Sequence, residues 1–204
     1  MTFITFEGID GAGKSTLLEG VARALRARGR PVTTLREPGS TGVGERVRAI
    51  LLDPGVGTID PMTEALLFSA CRSELVKTVI RPALAKGDVV LLDRYVDSTS
   101  AYQGAGGGAD PAALDAVAAA ATGGLIPDLT VVVDVPVDVS ESRRGRAPDR
   151  MEARDRAYKE RVRASFLALC ARPTRRTLLI DGTVDAAVSV AAIVRAMDAL
   201  AGRG

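Results

Sequence analysis

A group of residues suited to binding phosphate lies near the start of the chain. Residues 8–15 read GIDGAGKS and match the phosphate-loop pattern G-x-x-x-x-G-K-[ST] at every fixed position. Glycines at these positions let backbone N–H groups converge on a polyphosphate, and the N-terminus of a following helix adds positive potential. In this pattern the lysine reaches the β- and γ-phosphates and the hydroxyl binds Mg²⁺. The motif therefore predicts a nucleotide site that uses Lys14 and Ser15, but it leaves the reaction open.

Arginines follow two further apolar runs. Asp93 and Arg94 come directly after residues 89–92, and Arg36 and Arg48 follow residues 32–35. An aspartate at the tip of a strand beside a phosphate loop can hold Mg²⁺ through water, and a neighbouring arginine can hold an anion. The planar fork of arginine suits bidentate binding of phosphate. We therefore expect the three arginines to meet a second anion opposite the nucleotide.

A third arginine group lies in residues 142–150, which read SRRGRAPDR. In helical register Arg143 and Arg146 share a face, as do Arg146 and Arg150. Gly145 and Pro148 disfavour a long rigid helix, so the segment is typical of a hinged lid over about residues 142–153. A solvated arginine-rich surface is the alternative that the spacing alone leaves open.

Five apolar runs rich in β-branched residues would position these groups: residues 3–6, 32–35, 89–92, 129–135 and 177–180. They are continuous rather than alternating, as strands buried on both faces are. Helical patterns lie between them, after Ser15, from Glu64 to Leu84 and from Ala186 to Leu200. This alternation predicts an α/β fold with a parallel sheet. Because ligands bind at the carboxyl ends of such strands, the chemistry is expected at the five strand ends.

Composition narrows the class of protein. A chain of 204 residues with 47% hydrophobic residues suits one domain spanning residues 1–204. A net charge of +2 argues against a broad binding surface for a nucleic acid polymer or an anionic membrane. With no histidine, and with Cys71 and Cys170 far apart, zinc or haem ligation is not expected. No signal peptide and no membrane helix are recognised, so we expect a cytoplasmic protein.

The motifs together resemble the bacterial type of thymidylate kinase, and the resemblance extends over essentially the whole chain. The order and spacing of the pieces carry it, since each piece alone is weak. They are FEGIDGAGKST at 6–16, REPG at 36–39, LFSACR at 67–72, DRY at 93–95, AYQG at 101–104, PDLT at 127–130 and DR at 149–150.

The resemblance implies a three-layer P-loop NTPase fold, in which helices flank a five-stranded parallel sheet and a short arginine-rich lid covers the site. It implies transfer of the γ-phosphate of ATP to dTMP, with Mg²⁺, to give dTDP and ADP. It further implies a homodimer that acts on a small molecule.

The resemblance also assigns residues to three groups. The ATP-binding residues would be Gly8, Ile9, Asp10, Gly11, Ala12, Gly13, Lys14, Ser15, Thr16, Arg143, Arg144 and Asp181. The dTMP-binding residues would be Arg36, Glu37, Arg48, Phe68, Arg72, Arg94, Thr99, Tyr102 and Gln103. The metal would be held by Ser15, Asp93 and Asp10.

Within these groups the resemblance implies specific roles. Phe68 would stack on thymine, although an aromatic residue on an apolar helix face is otherwise typical of a core. Tyr102 would lie against the 2′ position of the sugar. The residues expected to act in catalysis are Lys14, Arg94, Asp10, Arg146 and Arg150. Residues 10–12 of the phosphate loop contain no arginine, so in this family the lid supplies the arginine that neutralises the transferring phosphoryl group.

Base selection gives a sharper hypothesis. Gln103 can satisfy thymine or cytosine by flipping its amide, which carries both donors and an acceptor. Arg72 only donates and would meet the amino group of cytosine with a second donor. We therefore expect Arg72, more than Gln103, to reject dCMP.

Two other functions stay open at this point. One is another P-loop kinase with a small acceptor, either a different nucleoside monophosphate or a deoxynucleoside. A nucleoside kinase needs a carboxylate to deprotonate a hydroxyl, and Glu37 would be the candidate for that role. The other is a nucleotide-dependent switch, although the Asn-Lys-x-Asp motif of GTPases is absent.

Overall fold

A computed structural model describes residues 2–145, 147–172 and 176–201. Its centre is one parallel sheet with strand order β2-β3-β1-β4-β5. The strands are β1 (Thr2–Glu7), β2 (Val32–Arg36), β3 (Val89–Asp93), β4 (Leu129–Asp134) and β5 (Thr177–Asp181). The five predicted strands are therefore confirmed, with ends shifted by one residue at most sites.

The sheet order places two chemical motifs side by side. β1 pairs with β3 in register from Thr2 opposite Val89 to Phe6 opposite Asp93. The phosphate loop leaves the end of β1, and Asp93 and Arg94 stand at the end of β3, so both motifs lie at the same edge. The apolar side chains of the central strands are buried on both faces, as their continuous runs predict.

Helices cover both faces of the sheet. The α-helices are α1 (Lys14–Ala27), α2 (Gly42–Leu52), α3 (Pro61–Leu75), α4 (Arg81–Ala85), α5 (Val96–Thr99), α6 (Pro111–Thr122), α7 (Val137–Ser142), α8 (Arg156–Cys170) and α9 (Ala186–Ala201). Two π-helical segments, Val76–Ile80 and Ser100–Gly106, follow α3 and α5, and a 3₁₀ turn spans Pro54–Val56. Asp60 caps α3 through Met62 N–H and Thr63 N–H, while Asp155 caps α8 through Tyr158 N–H.

The helix predictions need two corrections. The pattern from Glu64 to Leu84 is not one α-helix: α3 begins at Pro61, and the π-helical segment Val76–Ile80 separates it from α4. In addition, α2, α5, α7 and α8 were not predicted. Among residues 2–145, 147–172 and 176–201, no helix has the length and apolar character needed to cross a membrane.

Candidate active site

The phosphate loop is built by the turn between β1 and α1. Gly8 has a φ of +137°, and a Cβ at this position would lie 2.2 Å from the carbonyl oxygen of Val133, so only glycine fits. The Nζ of Lys14 donates to the carbonyl oxygens of Gly8 at 3.1 Å and Ile9 at 2.9 Å. Burial lowers the pKa of Lys14. The lysine is thus held inside the loop, as the phosphate-loop motif requires.

Two predicted metal ligands meet beside this loop. The hydroxyl of Ser15 donates to Oδ2 of Asp93 at 2.7 Å. The other carboxylate oxygen of Asp93 is buried and has no hydrogen-bond partner among the described residues. A hydroxyl and a carboxylate beside a phosphate site are the hard oxygen ligands that Mg²⁺ prefers, with phosphates and water completing its octahedron. These two residues therefore fit the ion.

Asp10 lines the same groove as Ser15 and Asp93, but its carboxylate contacts other side chains. Its Oδ1 accepts from Arg94 at 2.8 Å and its Oδ2 accepts from the Tyr102 hydroxyl at 3.1 Å. Desolvation raises the pKa of Asp10, but the positive charges of Arg94 and Lys14 outweigh this effect and hold the pKa at about 2. Both carboxylate oxygens are engaged with these partners, and a direct contact of Asp10 with the metal stays a prediction.

Arg94 is the most constrained side chain of the site. Its backbone has a φ of +71°, which is uncommon for a residue other than glycine and recurs at functional sites. Its guanidinium donates to the Gly8 carbonyl and the Ser98 hydroxyl at 3.1 Å, in addition to Asp10 and, at 3.0 Å, the Tyr102 hydroxyl. The group lies over the Tyr102 ring, 4.9 Å from its centroid. Arg94 therefore has one fixed orientation between the phosphate loop and the residues after β3.

A pocket beside the phosphate loop contains most of the predicted acceptor residues. They are Glu37, Arg48, Phe68, Arg72, Arg94, Thr99, Tyr102 and Gln103. The groove that contains residues 10–17 is a separate cavity, and Arg36 lines it rather than the pocket. The two cavities meet at shared lining residues, which are Asp10, Glu37, Arg48, Arg94 and Glu152. A ligand in the groove and a ligand in the pocket would therefore face each other across Arg94.

Arg72 is buried in the wall of this pocket. Its Nε donates to Oε2 of Glu37 at 2.9 Å, and its NH2 donates to the Tyr95 carbonyl at 3.0 Å and the Thr99 hydroxyl at 3.1 Å. Its NH1 is buried without a hydrogen-bond partner among the described residues. Burial raises the pKa of Glu37 to about 7, against the lowering effect of Arg72. One guanidinium nitrogen is thus left to bind an acceptor atom in the pocket.

Known proteins match this chain over most of its length. A family model described as thymidylate kinase matches residues 6–193. The chain is 48% identical to the thymidylate kinase of Deinococcus radiodurans over 89% of this chain and 88% of that protein. It is 47% identical to a thymidylate kinase of Pseudomonas fluorescens over 97% and 93%. The crystal structure of thymidylate kinase from Ehrlichia chaffeensis aligns with a TM-score of 0.75 at 29% identity, covering 95% of this chain and 97% of that one.

The chain belongs to the thymidylate kinase family. This membership confirms the family resemblance and the predicted fold, because the five-stranded parallel sheet with flanking helices is also that of the solved relative.

The predicted lid is irregular among the described residues. α7 ends at Ser142, and no regular element is present in the described residues until α8 begins at Arg156. Arg143 reaches the nucleotide groove, where it donates to the carbonyls of Gly11 at 3.3 Å and Gly182 at 2.9 Å. Arg144 lines cavities next to Asp10. Arg146, predicted to be catalytic, lies outside the described residues.

Arg150 does not resemble a mobile lid arginine. It is buried, donates to Oε1 of Glu64 at 2.5 Å and to the Leu51 carbonyl at 2.8 Å, and is not among the residues that line the nucleotide groove. Its catalytic role stays a prediction, but its contacts are those of a residue that fixes the pocket wall. The predicted ATP-binding residue Asp181 accepts hydrogen bonds from the backbone N–H and the hydroxyl of Thr183. Its neighbours Gly182 and Val184 line the groove.

Several side chains of the site were not predicted from the sequence. Ser98 and Glu7 support Arg94, Glu64 contacts Gln103, and Glu152 lines both cavities. Ser98 follows Arg94 by four residues, a spacing that signals one helical turn. Glu64 carries no comparable signal, since its partners Gln103 and Arg150 are distant in the sequence.

Proposed function

We propose that this chain transfers the γ-phosphate of ATP to dTMP and produces dTDP and ADP. The observation that carries this proposal is the position of Arg94. Its guanidinium bonds the Gly8 carbonyl of the phosphate loop and the Tyr102 hydroxyl of the pocket. It can therefore contact the phosphate of a nucleotide in the pocket at the point where the two cavities meet.

The reaction needs little covalent chemistry from the protein. The acceptor phosphate is already anionic, so no strong general base is required, and catalysis reduces to positioning and charge neutralisation. Lys14 binds the β- and γ-phosphates, and Arg94 with Arg48 neutralises the acceptor phosphate. Ser15 and Asp93 would hold Mg²⁺, which when bound offsets the charge that develops on the phosphates.

The pocket side chains favour a thymine nucleotide as the acceptor. Phe68 offers an aromatic face, Tyr102 packs against the guanidinium of Arg94, and the free NH1 of Arg72 can donate to a carbonyl. On the groove side, one guanidinium nitrogen of Arg36 donates to both carboxylate oxygens of Glu45 in an exposed ion pair. Because Arg36 lines the nucleotide groove and not the pocket, we assign it to the binding of the transferring phosphate rather than of the base.

We further infer a homodimer and a cytoplasmic location, both from the family resemblance. The contact would use α2 and α3, which pack on each other and expose Val43, Ile50 and Leu66 to about half of their full area. Sedimentation analysis should show the mass of two chains, and a concentration-independent monomer would remove this part of the proposal.

The test of the proposed function is a coupled assay of ADP release with dTMP, AMP, GMP and thymidine as acceptors. We expect transfer to dTMP, and we expect Lys14→Met to lower kcat roughly a thousandfold. Lys77→Met provides a matched control, since Lys77 is exposed on the π-helical segment Val76–Ile80. Efficient phosphorylation of AMP, GMP or thymidine with no dTDP from dTMP would show that the assignment is wrong.

A further inference from the structure

A buried carboxylate lies directly behind Gln103. Gln103 sits in the π-helical segment Ser100–Gly106, is buried and lines the pocket. Its Nε2 donates to Oε2 of Glu64 at 3.0 Å. The other oxygen of Glu64 accepts from Arg150 at 2.5 Å and Arg154 at 3.1 Å. Both oxygens are engaged, so the carboxylate is fixed in place.

This contact removes the freedom that the sequence alone grants to Gln103. An ionised carboxylate accepts hydrogen bonds and cannot donate them. If the amide of Gln103 flipped, its Oε1 would face Oε2 of Glu64 and two acceptors would meet in a buried site. Neither acceptor would then have a donor, and this disfavours the flipped orientation. The amide is therefore held in one orientation, and its carbonyl oxygen is the atom left for a ligand.

The pocket then presents a fixed pattern. Oε1 of Gln103 makes no hydrogen bond among the described residues, and NH1 of Arg72 is a buried donor without a partner there. One acceptor and one donor on the pocket wall match a base edge that carries an N–H beside a carbonyl. Thymine and uracil have this edge, whereas cytosine offers a bare nitrogen and an amino group.

We propose that Glu64 is a positioning residue for base specificity: it locks the Gln103 amide so that the pocket accepts a thymine edge and rejects a cytosine edge. The inference deepens the proposed function and rests on dTMP as the acceptor. It assigns the discrimination to Arg72 and to the locked amide of Gln103 together, where the sequence favoured Arg72 more than Gln103.

The test is a double-mutant cycle read by the equilibrium binding of dTMP and dCMP. In Glu64→Gln the side chain at position 64 can accept or donate, so the Gln103 amide becomes free to flip. We expect the ratio of the Kd for dCMP to the Kd for dTMP to fall about tenfold. In a Gln103→Leu background the same Glu64→Gln change should leave the ratio unaltered, because no amide remains to be locked. An unchanged ratio in the first background, or an equal change in both, overturns the inference.

The controls separate specificity from folding. Arg154→Met removes an ion pair to Glu64 but leaves the bond to Gln103, so the ratio should stay that of the parent. If Glu64→Gln leaves Arg150 uncompensated and does not fold, Glu64→Gln combined with Arg150→Met removes the unpaired buried charge and is measured instead. If the parent protein binds dTMP more tightly than dCMP but transfers no phosphate, the proposed function is wrong. The binding ratios of the variants would still decide the role of Glu64.

Discussion

Glu7 offers a quantitative test of how the site is held together. It ends β1, and its side chain is fully buried. One oxygen accepts from the Tyr95 N–H at 2.7 Å and the other from the Ser98 hydroxyl at 2.5 Å. Burial is the largest influence on the pKa of Glu7, and the negative charge of Asp97 adds to it. Together they raise the pKa to about 8, against the lowering effects of Ser98, Arg94 and Tyr95.

The effect of this pKa shift on the free energy of unfolding follows from the linkage between proton binding and folding. The pKa of this glutamate rises from 4.5 in the unfolded chain to about 8 in the fold, and one pKa unit corresponds to about 1.4 kcal/mol. Below pH 4.5 both states are protonated and no penalty exists. As the pH rises from 4.5 to 8, the unfolded chain releases the proton first, so stability is lost through this window. The loss from Glu7 should reach about 3–5 kcal/mol above pH 8.

The perturbation is Glu7→Gln, which cannot ionise. The free energy of unfolding should exceed that of the parent by an amount that grows with pH between 4.5 and 8. Urea unfolding followed by circular dichroism at five or six pH values measures this difference. Glu19→Gln is the control for removal of a charge, because Glu19 is exposed on α1.

The refuting result is a difference that stays flat or shrinks as the pH rises. It would show that Glu7 is ionised in the folded protein. In that case the hydrogen-bond chain from Arg94 through Ser98 to Glu7 would outweigh the cost of burial.

Three other predictions concern catalysis and base selection. At least one alanine variant among Arg143, Arg144, Arg146 and Arg150 should lose about 10³-fold in kcat and keep its dTMP affinity within a few-fold, whereas four variants with near-normal kcat would remove the lid from the mechanism. Arg72→Ala should lower the kcat/KM preference for dTMP over dCMP by more than tenfold, and an unchanged preference would exclude Arg72 as a discriminator. The parent should use dUMP as a poorer but real substrate, since one methyl group is worth only about 1–3 kcal/mol.

The sequence predicted the sheet, and the edge of the sheet that carries the candidate site residues, because both depend on local patterns. A buried parallel strand needs a continuous apolar run, and each run here ends within one residue of the end of its strand. The carboxyl ends of parallel strands share one edge, so the phosphate loop and the pair Asp93 and Arg94 had to meet. The helical features were harder, because a π-helical turn such as Ser100–Gly106 has no distinct residue pattern.

The buried residues that support the site could not be predicted for a different reason. Glu64 and Arg150 are 86 residues apart in the chain, and Glu7 and Ser98 are 91 apart. Nothing in the spacing of charged residues says which distant partner each will meet. The sequence therefore placed Arg150 with the exposed lid arginines, while the structure pairs it with a buried carboxylate.

Two buried arginines, Arg72 in the pocket wall and Arg150 outside it, explain why buried carboxylates are present near the pocket. A guanidinium removed from water is costly unless a carboxylate compensates its charge, and removal of one partner leaves an unpaired buried ion. Arg72 is paired with Glu37, and Arg150 is paired with Glu64. The exposed Arg143 has carbonyl partners instead, so it can exchange them for a ligand at little cost. The paired, buried Arg72 and Arg150 are therefore more strongly held in place than the exposed Arg143.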